Sequence, residues 1–351
     1  MPPETLASFL TLSDFEEAAR ECMPHPVYEF VAAGAGDEVT LLDNQAAFDR
    51  IKLRQRVLRD VFAIDTQVEL FGSNCPHPIL LAPTSLQRLS HPDGEVAATR
   101  GAGEAGAIFT LSTSGIATIE ECVAASACPV WFLLYWQSDR EFNRDLVARI
   151  EAGGAKALMI TVDTPTFGDR VRRERAGFAL PDDLVTPYYY DRNAGLRKRG
   201  SRLMGRLTWR EIEWIRSLTG LPLILKGILD PADAEEAVRI GANGVVVSNH
   251  GARNLDTLPA TIDALPAVVD QVSGRAGIIL DGGIRRGTDV LKSLALGATA
   301  VMIGRPYVFA LAAAGAAGVA RCVTLLKDEL ETAMALVGRR TIKELDRSAI
   351  W

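Results

Sequence analysis

The chain has 351 residues, 48% of them hydrophobic and 23% charged, enough to bury a large core and unlike the composition of disordered, collagenous or membrane-spanning chains. Its 38 basic and 44 acidic residues leave a net charge of −6, which offers no electrostatic reason to bind nucleic acid or an anionic membrane and points to a small-molecule partner. The scattered cysteines Cys22, Cys75, Cys122, Cys128 and Cys322 show neither a CxxC pair nor metal-type spacing with the histidines, and Met1-Pro2-Pro3-Glu4 lacks the layout of a signal peptide, so reduced thiols and a cytoplasmic location are expected.

Residues 1–75 read as helical. Ser13-x-x-Glu16 has the form of a capping box, in which hydroxyl and carboxylate satisfy the free amides of a helix start, and Phe15, Ala18 and Ala19 follow at helical spacing. A second helix is predicted to begin near Pro26 and end by Gly34. From Pro78 onward the texture changes to short apolar runs at 79–82, 107–111, 130–134, 157–162, 221–225, 244–247, 277–280 and 299–303, each followed by amphipathic sequence. Such a succession of βα units is what a closed parallel barrel requires. The predicted fold is therefore α/β, a TIM (β/α)8 barrel at 76–351 behind an N-terminal helical segment, with 1–351 forming one domain. Between 167 and 207 the chain turns arginine rich (Arg170, Arg172, Arg173, Arg175, Arg192, Arg197, Arg199, Arg202, Arg206) around Tyr188-Tyr189-Tyr190. A long loop here is placed to close over a substrate, with most of the arginines on a solvated surface or at subunit contacts. The stretch 308–320 is alanine and glycine rich, too short to span a bilayer, and reads as a packed helix.

Chemistry in such a barrel belongs where strands end. Val245-Val246-Val247 breaks into Ser248-Asn249-His250-Gly251-Ala252-Arg253, so a buried strand delivers a base and an anion clamp. The other exits are Pro83-Thr84-Ser85, Ser112, Tyr135, Thr161 with Asp163, Lys226, Asp281-Gly282-Gly283 and Gly304-Arg305. The last two follow the seventh and eighth strands, where glycine amides, a helix N-terminus and arginine hold phosphate. Gly282 and Gly283 are expected to let amides approach an anion without a Cβ in the way.

The motifs SNHGARNLD (248–256), DGGIRRG (281–287), TVDTP (161–165), LKG (225–227) and Pro83-Thr84 resemble those of the FMN-dependent 2-hydroxy acid oxidase family, over about residues 12–345. The resemblance implies FMN across the barrel mouth, with its phosphate on Gly283, Arg285, Gly304 and Arg305 and its ribityl chain near Lys226, Ser248 and Asp281. Its ring would lie against Pro83, Thr84 and Ser85, with Ser112 and Thr161 at the polar edge, and Lys226 would stabilise the negative charge that reduction brings. His250 is implied as the base for the hydroxyl proton of a 2-hydroxy acid, with the α-hydrogen leaving as hydride or as proton. Asp163 would stabilise its imidazolium, Arg253 and Arg170 would hold the carboxylate, and Tyr135 would hydrogen-bond the hydroxyl or carbonyl oxygen.

Three positions depart from the family pattern. Phe30 stands where small-acid oxidases carry a carboxylate-binding tyrosine, and with Trp136 it resembles the 4-hydroxymandelate branch. Ser114 replaces a bulky aromatic, so a large or aromatic acid is expected. Leu133 stands where a glutamine usually hydrogen-bonds the flavin's pyrimidine edge. Dioxygen is the expected electron acceptor, with oxygen access tuned at Ser85, and the resemblance implies a homotetramer. The rival readings are a soluble dehydrogenase using another acceptor, a non-redox phosphate-binding barrel with Lys226 as a Schiff-base residue, and a flavin-binding protein without turnover.

Overall fold

Eight parallel strands close into a barrel, each paired with its neighbour in chain order and the last (Ala300–Ile303) with the first (Ile79–Leu81). They are β3 (Ile79–Leu81), β4 (Phe109–Ser112), β5 (Val130–Leu134), β6 (Leu158–Thr161), β7 (Leu223–Ile228), β8 (Gly244–Val247), β9 (Gly277–Asp281) and β10 (Ala300–Ile303). The computed structural model describes residues 6–181, 184–189 and 206–351. Each predicted run overlaps one of these strands, and β4, β7 and β9 continue past the predicted ends to Ser112, Ile228 and Asp281. Alternation sorts their side chains: Leu80, Trp131, Leu133, Met159, Ile224, Val246, Ile279 and Met302 fill the barrel, while Leu81, Phe132, Leu134, Ile160, Leu225, Val247 and Leu280 pack under the surrounding helices.

Ahead of the barrel lie α1 (Leu12–Cys22), α2 (His25–Ala32) and α3 (Val39–Arg50). The capping box of α1 lies two residues upstream of the expected one, at Thr11 and Asp14. Thr11 Oγ1 accepts the Asp14 amide at 3.3 Å and Asp14 Oδ2 accepts the Thr11 amide at 2.8 Å. Starting there brings Leu12 into the buried stripe with Phe15 and Ala19. A hairpin, β1 (Val68–Leu70) and β2 (Ser73–Cys75), was not expected from the sequence. Its two-residue turn has positive φ at both Phe71 (49°) and Gly72 (82°), the geometry that matches strand twist. It seats Phe71 5.7 Å from Trp131, an interior side chain near the start of β5.

The stretch 308–320 lies in the long helix α12 (Arg305–Val337), which breaks helical geometry at Ala314 and Gly315. An 18-residue stretch of α12 with mean hydropathy 1.8 makes it the one helix among the described residues apolar and long enough to cross a membrane. Tyr307, Phe309, Leu311, Val319, Val323, Leu326 and Leu330 are nonetheless buried in the core, as the packed-helix reading expects. All five cysteines are free thiols.

Candidate active site

One cavity of about 490 Å³ opens at the C-terminal ends of the strands. Its floor and walls include Pro83, Thr84, Ser85, Leu133, Tyr135, Lys226, Asp281, Gly282, Gly283, Arg285, Gly304 and Arg305. Phe30, Ser114, Arg170, His250 and Arg253 line it as well, so residues far apart in sequence converge on one space. Ser112, Thr161 and Ser248 sit just behind this wall, buried, and act through neighbours. Ser112 Oγ accepts the Ser114 amide at 3.1 Å, and Ser248 Oγ accepts Lys226 Nζ at 2.8 Å and the His250 amide at 3.0 Å.

His250 stands on a left-handed turn. His250, Gly251 and Ala252 have φ of 58°, 60° and 59°. Two of these carry a Cβ, at a cost of roughly 1–2 kcal/mol each. The turn is held from both ends. Asn249 Oδ1 accepts the Ala252 amide at 3.1 Å, and the Asn44 and Asn249 amides exchange hydrogen bonds of 3.0 and 2.8 Å.

The imidazole faces two ways. Nδ1 lies 3.0 Å from Asp163 Oδ1, and Nε2 lies 3.1 Å from the Tyr135 hydroxyl. With Nδ1–H donated to the carboxylate, Nε2 keeps a lone pair toward Tyr135, as a base requires. Burial pushes the His250 pKa down, against the pull of Asp163, so the imidazole is neutral at pH 7. Burial would raise the Asp163 pKa, but His250, Lys226 and the Thr161 hydroxyl hold it well below the usual carboxylate range. Thr161 Oγ1 (2.7 Å) and Thr164 Oγ1 (3.1 Å) both donate to Asp163 Oδ1, and Asn254 Nδ2 donates to Thr164 Oγ1 at 2.8 Å. Thr164 and Asn254 are positioning residues the sequence reading missed. Gly227, at φ 111°, is required here because a Cβ would come within 2.5 Å of Asp163.

Lys226 lies inside β7 rather than at its exit, because the strand runs on to Ile228 with a register shift between them. It points into the barrel, where Nζ meets Asp281 Oδ2 at 2.9 Å. Burial opposes its charge, but Asp281 and Asp163 raise its pKa, so it remains an ammonium. That state argues against a Schiff-base role, which needs a neutral amine.

The arginines show what the site accepts. The last turn of α2 leaves carbonyls without partners in the helix. Arg253 donates to Phe30 O (2.8 Å), Val31 O (2.9 Å) and Ala33 O (3.1 Å), and Arg305 to Val31 O, Ala32 O and Ala33 O (each 3.1 Å). Both cations sit at the negative end of the helix dipole. Arg305 also reaches Gly251 O at 2.8 Å, so backbone carbonyls take one N–H from each of its three nitrogens and two N–H groups are left for an anion. It offers an anion its charge and its place in the first turn of α12. Burial, with repulsion from Arg285 and Arg170, pushes the Arg305 pKa down to about 9. Burial and Arg173 push Arg170 down to about 10, and burial with Arg170, Arg305 and Arg173 lowers Arg253.

FMN fits these residues. Buried guanidiniums that repel one another call for anions, and a phosphate and a carboxylate supply them. Asp281 Oδ1 is buried without a hydrogen-bond partner in the protein, as an acceptor for a ribityl hydroxyl would be. A Cβ on Gly304 would meet no protein atom closer than 3.8 Å, leaving that side of the backbone open to the cavity. Gly283 also answers to packing on α3: its Cβ would strike Asn44 O at 1.8 Å, so no side chain fits there.

Two substrate-side expectations are corrected. Trp136 does not line the cavity: it packs edge-on against Trp214 (ring centroids 6.0 Å apart, 89°) on α8 (Trp209–Arg216), in the layer outside the barrel. Ser114 is small, but Tyr189 fills the room beside it, with the hydroxyls 2.7 Å apart. Phe30 lines the cavity, stacks on Phe178 at 4.5 Å, and lies under Arg253 at 5.7 Å. Phe178 carries no motif that marks it in sequence, and the Tyr188-Tyr189-Tyr190 run does not single out Tyr189 for the substrate side. Tyr190, Arg192, Arg197, Arg199 and Arg202 lie outside the described residues.

The architecture and site define a barrel oxidoreductase that holds a flavin phosphate. Residues 19–351 match the FMN-dependent dehydrogenase family. The chain is 44% identical to glycolate oxidase 3 of Arabidopsis thaliana, covering 96% of this chain and 94% of that one. It is 42% identical to the L-lactate oxidase of Nostoc sp., covering 98% of each. A crystal structure of mandelate oxidase with (S)-2-phenylpropionate superposes with TM-score 0.90 at 41% identity, covering 96% of each chain. The chain belongs to the FMN-dependent dehydrogenase family and is an FMN-dependent oxidoreductase acting on a CH–OH group.

Proposed function

We propose that the protein oxidises an (S)-2-hydroxy acid to the 2-oxo acid with dioxygen as acceptor, and favours bulky or aromatic acids over glycolate. The observation that carries this reading is the His250–Asp163 pair set on one cavity with Tyr135, Arg170 and Arg253. Arg170 and Arg253 bind the carboxylate, Tyr135 orients the hydroxyl, and His250 Nε2 takes the hydroxyl proton while Asp163 balances the resulting imidazolium. The bound FMN would supply the acceptor for the two electrons released with the α-hydrogen, and reoxidation by dioxygen would give hydrogen peroxide. Phe30 and Phe178 form an aromatic wall suited to a ring, and Phe30 has no hydroxyl for a small acid's carboxylate.

A substrate panel with peroxide quantified against 2-oxo acid tests both parts of the reading. The kcat/KM for (S)-mandelate is expected to exceed that for glycolate by about tenfold or more. Glycolate turning over faster than mandelate overturns the aromatic preference, and 2-oxo acid formed without peroxide overturns the oxidase reading. Cytoplasmic location and a tetramer belong to the same proposal, the latter checked by light scattering.

Leu133 lines the cavity from the barrel interior and brings no hydrogen-bond donor to it. Leu133→Gln is expected to raise the flavin midpoint potential by about 10–30 mV, the equivalent of one added hydrogen bond in a two-electron couple. Spectroelectrochemical titration measures it, and an unchanged potential reduces Leu133 to packing.

A further inference from the structure

The part of the cavity wall at 167–180 carries α7 (Val171–Arg175). Arg170 and Arg173 on either side of Arg172 line the cavity, as does Phe178 just beyond. Arg172 turns instead to the N-terminal helices. Its Nη2 donates to Glu29 Oε1 at 3.0 Å, with Oε2 2.7 Å away, and its Nη1 meets both Glu38 oxygens at 3.1 and 3.0 Å.

Glu29 belongs to α2 and directly precedes Phe30. It is only 8% exposed, and Arg172 is its ion-pair partner among the described residues. Lifting α7 away strips a buried carboxylate of its cation, which is costly in a way that losing a surface pair is not. Two weaker ties act beside it: the Phe30–Phe178 stack and a hydrogen bond from the Gly36 amide to Asp169 O at 2.9 Å. The helix that receives Arg172 is the one whose final carbonyls hold Arg253 and Arg305. Cover and anion clamp are thus referenced to the same element.

We propose that Arg172 is a positioning residue that latches the segment carrying Arg170 and Phe178 onto Glu29 and Glu38, and so controls opening of the acid-binding cavity. The proposal rests on the reading of that cavity as the 2-hydroxy acid site. It also gives an internal role to an arginine that sequence alone assigns to the surface.

The test compares wild-type, Arg172→Ala and Arg172→Lys holoenzymes in two ways: anaerobic stopped-flow reduction by (S)-mandelate, and chymotryptic cleavage within 167–189 in the absence of substrate. Arg172→Ala is expected to raise the substrate Kd about tenfold while leaving the reduction rate at saturation within about twofold, and to speed cleavage about tenfold, with Lys restoring part of each. Unchanged Kd and cleavage overturn the latch, as does a lower reduction rate at unchanged Kd. If Arg172→Ala does not fold, Glu38→Gln, which spares the Glu29 pair, must shift both readouts in the same direction; no shift there also overturns the proposal. If mandelate fails to bleach the wild-type flavin, the substrate reading falls, while cleavage still scores the latch.

Discussion

Asp163→Asn is expected to slow substrate-driven flavin reduction by about 10²–10⁴-fold, the range that general acid–base machinery contributes. The carboxylate does two jobs that an amide cannot combine. It fixes Nδ1 as the protonated nitrogen of His250, leaving Nε2 toward Tyr135 as the base, and its charge offsets the imidazolium once the hydroxyl proton arrives. Lys226 and Arg170 act in the opposite sense and lower the His250 pKa, so without Asp163 the ring becomes a much weaker base. The pH profile supplies a second readout. In the wild type, kcat/KM is expected to be lost as pH falls through a His250 pKa below 6.5, because the protonated ring cannot accept. Asp163 raises that pKa, so removing it shifts the acid limb to lower pH. Stopped-flow bleaching across pH measures both effects. A rate within twofold of wild type with an unmoved acid limb would sink the assignment.

Lys226→Met should lower the flavin midpoint potential and destabilise the protein together. Lys226 and Asp281 form a buried pair at 2.9 Å with side chains 5% and 8% exposed. Removing one member of such a pair leaves the other charge stranded, at a cost of about 3–5 kcal/mol. The lost cation also withdraws a charge-assisted interaction of about 1.5–3 kcal/mol from the reduced flavin, equivalent to about 30–60 mV. The double variant Lys226→Met with Asp281→Asn removes the stranded charge. It is expected to recover most of the melting temperature but none of the potential, which separates the two effects. Calorimetry and redox titration read them independently, and a single variant with wild-type potential would contradict the role given to Lys226.

The barrel strands were legible because strand signals are local: Val130–Leu134 or Gly244–Val247 is apolar and branched whatever surrounds it. His250, Arg253 and Asp281 were found because barrel topology makes strand ends converge, so their residue types already constrain the chemistry, whereas Lys226 lies two residues before the end of β7 and reaches the site from inside the barrel. Local reading erred where several solutions have nearly equal local merit. Thr11-x-x-Asp14 and Ser13-x-x-Glu16 are both plausible caps, and packing of Leu12 selects the first. Trp136 follows Tyr135, but adjacent residues near a strand end face opposite ways, and only one of them can point into the barrel.

By itself, then, the sequence determined the repeating βα architecture, the family of chemistry and most of the polar groups at the strand ends, since hydrophobic period and side-chain type are properties of short segments. Only the tertiary structure decided how those groups are held. The left-handed turn under His250, the commitment of Arg305 to the α2 carbonyls, the closing of the space beside Ser114 by Tyr189 and the turn of Arg172 toward Glu29 all depend on contacts between distant segments. Such contacts are set by long-range packing and by which buried charge finds a partner, and no local pattern encodes either.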